Sequence, residues 1–254
     1  MTDDLGFALS LADAADAITL PRFRAADLRV DTKPDTTVVS DADRAAEQAL
    51  RDLVARERPG EGVLGEEYGD DGTDVRWIVD PVDGTTNFVR GVPVWATLIA
   101  LQRDGQTTLA VVSAPALRRR WWAVHGRGAY ADGERVRVSA IARVEDASIS
   151  ITSIRSLRRR GLAERYVALA ERAWSSRALG DFWQHALVAE GSVDVALETA
   201  LNLWDYAPVQ LIVEEAGGRC TDFAGEPPRH GSTFVATNGL LHDAILEALA
   251  GAST

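Results

Sequence analysis

Between Val75 and Phe88 the chain reads Val-Arg-Trp-Ile-Val-Asp-Pro-Val-Asp-Gly-Thr-Thr-Asn-Phe, and this stretch narrows fold and chemistry more than any other. Its first half, Val75 to Val79, is apolar and β-branched, the composition of a buried strand. Pro81 cannot donate to a sheet, so the strand is predicted to end there. Asp80 and Asp83 stand where the chain leaves the sheet. Gly84-Thr85-Thr86 then offers backbone N–H groups and two hydroxyls. Hard divalent cations take oxygen ligands, and Mg²⁺ in particular is held by carboxylates together with substrate phosphate. Exposed N–H groups can hold the phosphate oxygens. One short loop thus offers both halves of a metal–phosphate site. The same residues also read as a solvated turn, because Asp-Pro and Asp-Gly are common turn pairs. On these residues alone the solvated turn is the favoured reading.

The 254 residues suffice for one large domain or two small ones. Ala8, Leu11, Ala12, Ala15 and Ile18 recur at helical spacing, predicting a helix over 4–19 that Pro21 kinks or ends. Residues 28–35 read as extended and polar. Ser40-x-x-Asp43 is a helix-capping signal. The helix it opens has Ala42, Ala46, Ala49, Leu50, Leu53 and Val54 on one face and stops at Pro59-Gly60. Val63-Leu64-Gly65 then leads into Glu66-Glu67. After the central stretch, β-rich runs at 95–101, 108–112 and 121–124 are separated by turn signals such as Asp104-Gly105, predicting an antiparallel meander. From about residue 147, short strands alternate with helices, among them 181–190 and 208–216. The reading is α+β with an α/β second half. Residues 1–140 would carry two N-terminal helices, an antiparallel sheet and most metal ligands, and 141–254 would complete the site.

Charge decides which partners are reasonable. The net charge is −11, which argues against nucleic acid. An anionic substrate would then need local positive charge, which a bound metal supplies. For the same reason Arg118-Arg119-Arg120 beside Trp121-Trp122 reads as a solvated strand end with core or interface tryptophans. The lone Cys220 fits a reducing cytoplasm. No apolar run reaches the length of a membrane span, and Asp3 and Asp4 do not suit a secretory leader. The four histidines show no ligand-like spacing.

Asp80-Pro-Val-Asp-Gly-Thr-Thr-Asn-Phe88, with Gly65-Glu66-Glu67 before it and Trp204-Asp205 after it, resembles the signature set of the inositol monophosphatase superfamily. The resemblance implies a layered α-β-α-β-α sandwich, a homodimer, and Mg²⁺-dependent hydrolysis of phosphate monoesters with two or three ions per site. It implies Glu66, Asp80, Asp83, Asp205 and the Val82 carbonyl as metal ligands, with Glu66 also serving catalysis. Thr85, oriented by Asp41, would position the attacking water, and no phosphoenzyme would form. Gly84 and Thr85 would hold phosphate by their N–H groups. Glu198, with Asp80 and Asp205, would face the substrate. Lys33 matches a family lysine. Each has an ordinary alternative: Asp205 as a helix N-cap beside Pro208, Glu198 as a strand-end carboxylate in water, Asp41 and Lys33 as surface charges.

Arg177-Ala178-Leu179-Gly180-Asp181-Phe182-Trp183, continuing to Gly191, resembles the bacterial histidinol-phosphate phosphatase branch, as do Lys33-Pro34-Asp35 and Ser40-Asp41-Ala42-Asp43. Histidinol carries an ammonium and an imidazole. Carboxylates at Glu198 and Asp205 suit a cationic amine, although they suit inositol hydroxyls too. Arg177 would meet phosphate or ring at the far edge of the site, or else be a surface or interface arginine. Two alternatives stand beside this reading: an inositol or broad sugar phosphatase, and a non-catalytic binding module on the same fold. The complete set Glu66, Asp80, Asp83, Thr85 and Asp205 speaks against the last.

Overall fold

The computed structural model describes residues 3–33 and 37–250; Pro34 and Asp35 lie outside them. The chain opens with α1 (Asp3–Arg22), then a hairpin of β1 (Val30–Thr32) and β2 (Val38–Ser40), then α2 (Asp41–Glu57). Pro21 does end α1, within one residue. Ser40 caps α2 as its sequence predicts: its Oγ accepts the Ala42 N–H at 3.2 Å, and the Asp43 carboxylate accepts the Ser40 N–H at 2.9 Å.

Next come β3 (Gly62–Gly65), β4 (Gly69–Asp70), β5 (Val75–Asp83), the short α3 (Thr85–Val89), β6 (Ala96–Arg103) and β7 (Gln106–Ala114). The meander closes with β8 (Arg119–Val124), β9 (Gly128–Ala131) and β10 (Glu134–Val136). These eight strands form one sheet in the order β10-β9-β8-β7-β6-β5-β3-β4, antiparallel except where β3 runs beside β5. Pro81 does not end β5. The strand continues to Asp83 across a shift of register between Asp80 and Asp83, and the irregularity absorbs the donor that proline lacks.

The remaining elements are β11 (Ser148–Ile151), α4 (Ile154–Arg159), α5 (Ala163–Arg172), β12 (Ser175–Arg177) and α6 (Asp181–Ala189). They are followed by β13 (Val195–Leu201), α7 (Leu203–Glu215), β14 (Arg219–Thr221), β15 (Ser232–Thr237) and α8 (His242–Ala250). The strands make a second sheet, β12-β11-β13-β15-β14.

Alternation along each strand builds the layers. Trp77, Val79, Ile99, Leu101, Leu109 and Val111 pack on α1 and α2. Their neighbours Ile78, Leu98, Ala100, Ala110 and Val112 pack on α6 and α7, which also cover Ala196, Phe234 and Ala236 of the second sheet. The outer face of that sheet, with Ile149, Val195, Leu197 and Val235, meets α4, α5 and α8 through Leu157, Tyr166, Leu169 and Ile245. The result is an α-β-α-β-α sandwich. Both faces of each sheet are covered, so the strands read as continuous apolar runs.

The arginine run before Trp121 is not a solvated strand end. Arg119 pairs with Asp132 and Glu190, and Arg120 with Asp13 and Asp16. Trp121 is fully buried, whereas Trp174 is 76% exposed. No helix among the described residues is long and apolar enough to cross a membrane.

Candidate active site

Strand register assembles the first wall. Gly65 of β3 lies opposite Val79 of β5 in a parallel pair, so Glu66 leaves its strand beside Asp80. The turn after β3 is tied to α2 by the fully buried Glu47, whose carboxylate accepts the N–H groups of Glu67 at 2.7 Å and Tyr68 at 3.1 Å. A Cβ at position 65 would overlap that carboxylate, which explains the glycine. Lys33 Nζ lies 2.7 Å from a carboxylate oxygen of each of Glu66 and Glu67.

Asp205 arrives from the other half of the chain. It is the third residue of α7, and its carboxylate accepts the Asn202 N–H at 2.7 Å. The helix therefore starts at Leu203 instead of Pro208, and Pro208 sits in its second turn. Glu66, Asp80 and Asp205 each offer a carboxylate oxygen within 4.8 Å of the others. Asp83 lies beside this trio in the same pocket and accepts the Phe182 N–H of α6 at 2.7 Å.

Burial raises the Asp80 carboxyl well above its ordinary range, and repulsion from Glu66, Asp83 and Asp205 adds to it. Asp83 is raised in the same way, with Asp181 its strongest electrostatic neighbour. Asp205 is pushed up to about 7 by burial. A buried, all-oxygen, mutually repelling set is a donor set for a hard divalent cation.

Thr85 stands at the start of α3, after Gly84 in the left-handed region at φ 81°. A Cβ there would come within 3.0 Å of the Val94 carbonyl. The Thr85 hydroxyl lies 2.9 Å from the Val82 carbonyl and 3.2 Å from Asp43 Oδ1. The aspartate against Thr85 is therefore Asp43, not Asp41, which forms an ion pair with Arg22 at 2.8 Å. Two residues along a helix are about 200° apart, so only one of the two can face the site. Asp41 opens α2 and faces outward, whereas Asp43 folds back onto Ser40. Burial pushes the Asp43 carboxyl up to about 6, against the hydrogen bonds from Ser40.

The second wall comes from the far sheet. Glu198, near the end of β13, is 8% exposed and takes hydrogen bonds from the Thr152 hydroxyl and the Gln184 amide. Asp181 opens α6 with φ 49°, and its carboxylate accepts the Asn87 side-chain N–H at 2.7 Å. Burial pushes Glu198 up to about 8 and Asp181 up to about 6. Neither has a cationic partner among the described residues. The two walls enclose about 650 Å³, lined also by Thr85, Arg155, Arg159 and His185. Arg177 is not brought there: it is exposed on edge strand β12 and donates to the Ser176 carbonyl at 2.8 Å.

Sequence reasoning passed over several of these residues. Asp43 was visible only as a capping residue. Asp181 lies within Arg177–Trp183 with no role implied for it, and Thr152, Gln184, Arg155 and Arg159 carry no local motif. His185 shows no ligand spacing, yet it is 1% exposed, and its two ring nitrogens have no hydrogen-bond partner among the described residues.

Residues 2–253 match the sequence model described as the Inositol monophosphatase family. A histidinol-phosphatase of Mycobacterium tuberculosis is 55% identical over 254 residues, covering 97% of this chain and 98% of that protein. A histidinol-phosphatase of Streptomyces coelicolor is 49% identical and covers 96% of each chain. Among solved structures, an IMPase of Thermotoga maritima superposes with a TM-score of 0.91 at 32% identity, covering 98% of this chain and 97% of that one.

Proposed function

Because the chain belongs to the inositol monophosphatase family, a metal-dependent family of phosphomonoester hydrolases, we propose that it hydrolyses L-histidinol phosphate with two or three Mg²⁺ ions. The observation that carries the substrate assignment is the pair Asp181 and Glu198. Both carboxyls line the pocket beside the metal-type set, and neither has a cation partner among the described residues. A neutral polyol needs hydrogen bonds but no countercharge. An aminoalcohol ester brings an ammonium, which restores the ionised form of buried carboxyls. The names of the two histidinol-phosphatases at 55% and 49% identity support the same reading.

Glu66, Asp80, Asp83, Asp205 and the Val82 carbonyl would hold the ions. When bound there, divalent ions lower the pKa of water and neutralise charge on phosphate and leaving oxygens. The chain's own groups supply the rest. Thr85 Oγ1 accepts a proton from the attacking water and passes its own to Asp43 Oδ1, whose raised pKa suits a base near neutral pH. The N–H groups of Gly84 and Thr85, at the start of α3, hold phosphate oxygens. On this reading water attacks phosphorus directly and no phosphoenzyme forms. A cytoplasmic homodimer with Trp174 near its interface fits the family resemblance.

The test is phosphate release with Mg²⁺ from L-histidinol phosphate, myo-inositol 1-phosphate and fructose 1,6-bisphosphate. The expected result is the highest kcat/KM for histidinol phosphate. Asp181→Asn combined with Glu198→Gln is expected to raise its KM about tenfold or more, with a smaller change for inositol 1-phosphate. A preference for inositol phosphate would overturn the substrate and leave the hydrolase standing.

A further inference from the structure

The pocket is strongly acidic, yet it must admit a dianion. Among the described residues six carboxyl side chains line it, from Glu66, Asp80, Asp83, Asp181, Glu198 and Asp205, and the molecule as a whole carries −11. Among the described residues only two permanently cationic side chains line it, Arg155 and Arg159. Both are on α4, four residues apart and so on one helix face. That face is fixed. Leu157, midway between them and 1% exposed, is buried in the outer core, which turns both arginines away from it. The position along the chain is fixed too. The Ser153 side chain caps α4 by accepting the Ser156 N–H at 3.3 Å, and Thr152 just before it holds Glu198. Both arginines are exposed, and neither has an ion pair or a side-chain hydrogen bond among the described residues. Lys33, by contrast, is held between Glu66 and Glu67.

We propose that Arg155 and Arg159 form a basic lip that captures the phosphate group of the approaching ester and steers it past the acidic wall. This rests on the reading of the site as a phosphomonoester hydrolase, but not on which ester it cleaves. Clefts lined by one sign of charge raise on-rates by about 10- to 1,000-fold, and salt screens the effect. Guanidinium suits the role because it is weakly hydrated and meets phosphate oxygens in pairs. The lip acts on the approach, so it changes kcat/KM and leaves kcat alone.

The experiment compares the wild type with Arg155→Ala/Arg159→Ala at saturating Mg²⁺, measuring kcat and kcat/KM for histidinol phosphate from about 20 mM to about 500 mM NaCl. The expected result at low salt is a loss of about tenfold in kcat/KM with kcat within about twofold, the gap closing at high salt. A control, Arg158→Ala/Arg160→Ala, removes the same charge from residues of the same run that do not line the pocket. It is expected to lose much less. An unchanged salt dependence, an equal loss in the control, or a fall confined to kcat would overturn the proposal. If the wild type does not cleave histidinol phosphate, the substrate reading fails separately. Calorimetry of orthophosphate binding to the Mg²⁺-loaded proteins then decides: affinity about tenfold weaker in the lip variant supports the lip, and equal affinity overturns it.

Discussion

Two aspartates separated by one alanine show how residue-scale geometry assigns a role. Asp43 touches Thr85 Oγ1, and Asp41 touches Arg22. Asp43→Asn keeps the shape of the cap and removes the proposed proton acceptor. It is expected to lower kcat about 100-fold, whereas Asp41→Asn changes it less than about threefold, as phosphate-release assays will show. His185 carries a different residue-scale consequence. Burial pushes its pKa down to about 3, so it stays neutral in the fold and binds a proton only when unfolded. The unfolded chain therefore holds the extra proton between about pH 6.5 and about pH 3, and stability falls as pH drops through that window. Going from pH 7 to pH 5, His185 alone is expected to cost about 2 kcal/mol. Urea unfolding of wild type and His185→Phe at both pH values, in chelator, isolates this cost. A difference that does not change with pH would sink the argument.

At the scale of elements, the site depends on how α2 grips the β3–β4 turn. Glu47 is wholly buried, accepts two backbone N–H groups of that turn, and pairs with Arg51 at 2.9 Å. Glu47→Ala leaves those two buried donors without their acceptor and removes one of the partners of Arg51, which keeps Asp71 at 2.9 Å. Losses of about 3–5 kcal/mol follow from breaking such buried pairs. Urea denaturation is expected to show a loss in that range, and activity assays a higher Mg²⁺ concentration for half-saturation, because Glu66 rides on the same turn. A fall in stability with unchanged Mg²⁺ dependence would mean that the turn does not set the ligand. The N-termini of α6 and α7 act similarly on Asp83 and Asp205. The first gives the Phe182 N–H to Asp83, and the residue before the second gives the Asn202 N–H to Asp205.

For the whole molecule, the acid set proposed to hold the metal is also a source of strain. Residues from both sheets bring like charges into one pocket, with burial raising Asp80, Asp83 and Asp205. A ligand that binds only the folded state stabilises it by about 2.7 kcal/mol at 100 times its Kd. Mg²⁺ is therefore expected to raise Tm in a concentration-dependent way, and chelation to abolish phosphate release while leaving the chain folded. Equal Tm with and without saturating Mg²⁺ would argue against the carboxylates as its ligands.

Much of this was legible in the chain alone, for identifiable reasons. The cap at Ser40 and the buried strands at 75–79 and 95–101 depend on neighbours in sequence, and local chemistry sets them. The acids Glu66, Asp80, Asp83 and Asp205 sit in short, rigid strings whose order survives in the sequence. Periodicity also carried the shift from antiparallel meander to alternating strands and helices. What the sequence could not carry was anything decided by facing. It could not choose between Asp41 and Asp43, because the choice depends on which side of α2 meets α3. It could not keep β5 going through Pro81, because the bulge is permitted by the pairing with β6. Nor could it replace Arg177 with Arg155 and Arg159, or bring Asp181 to Glu198. Those groups meet only when the second sheet folds against α6 and α7, and long-range packing leaves no local signature in the residues it joins.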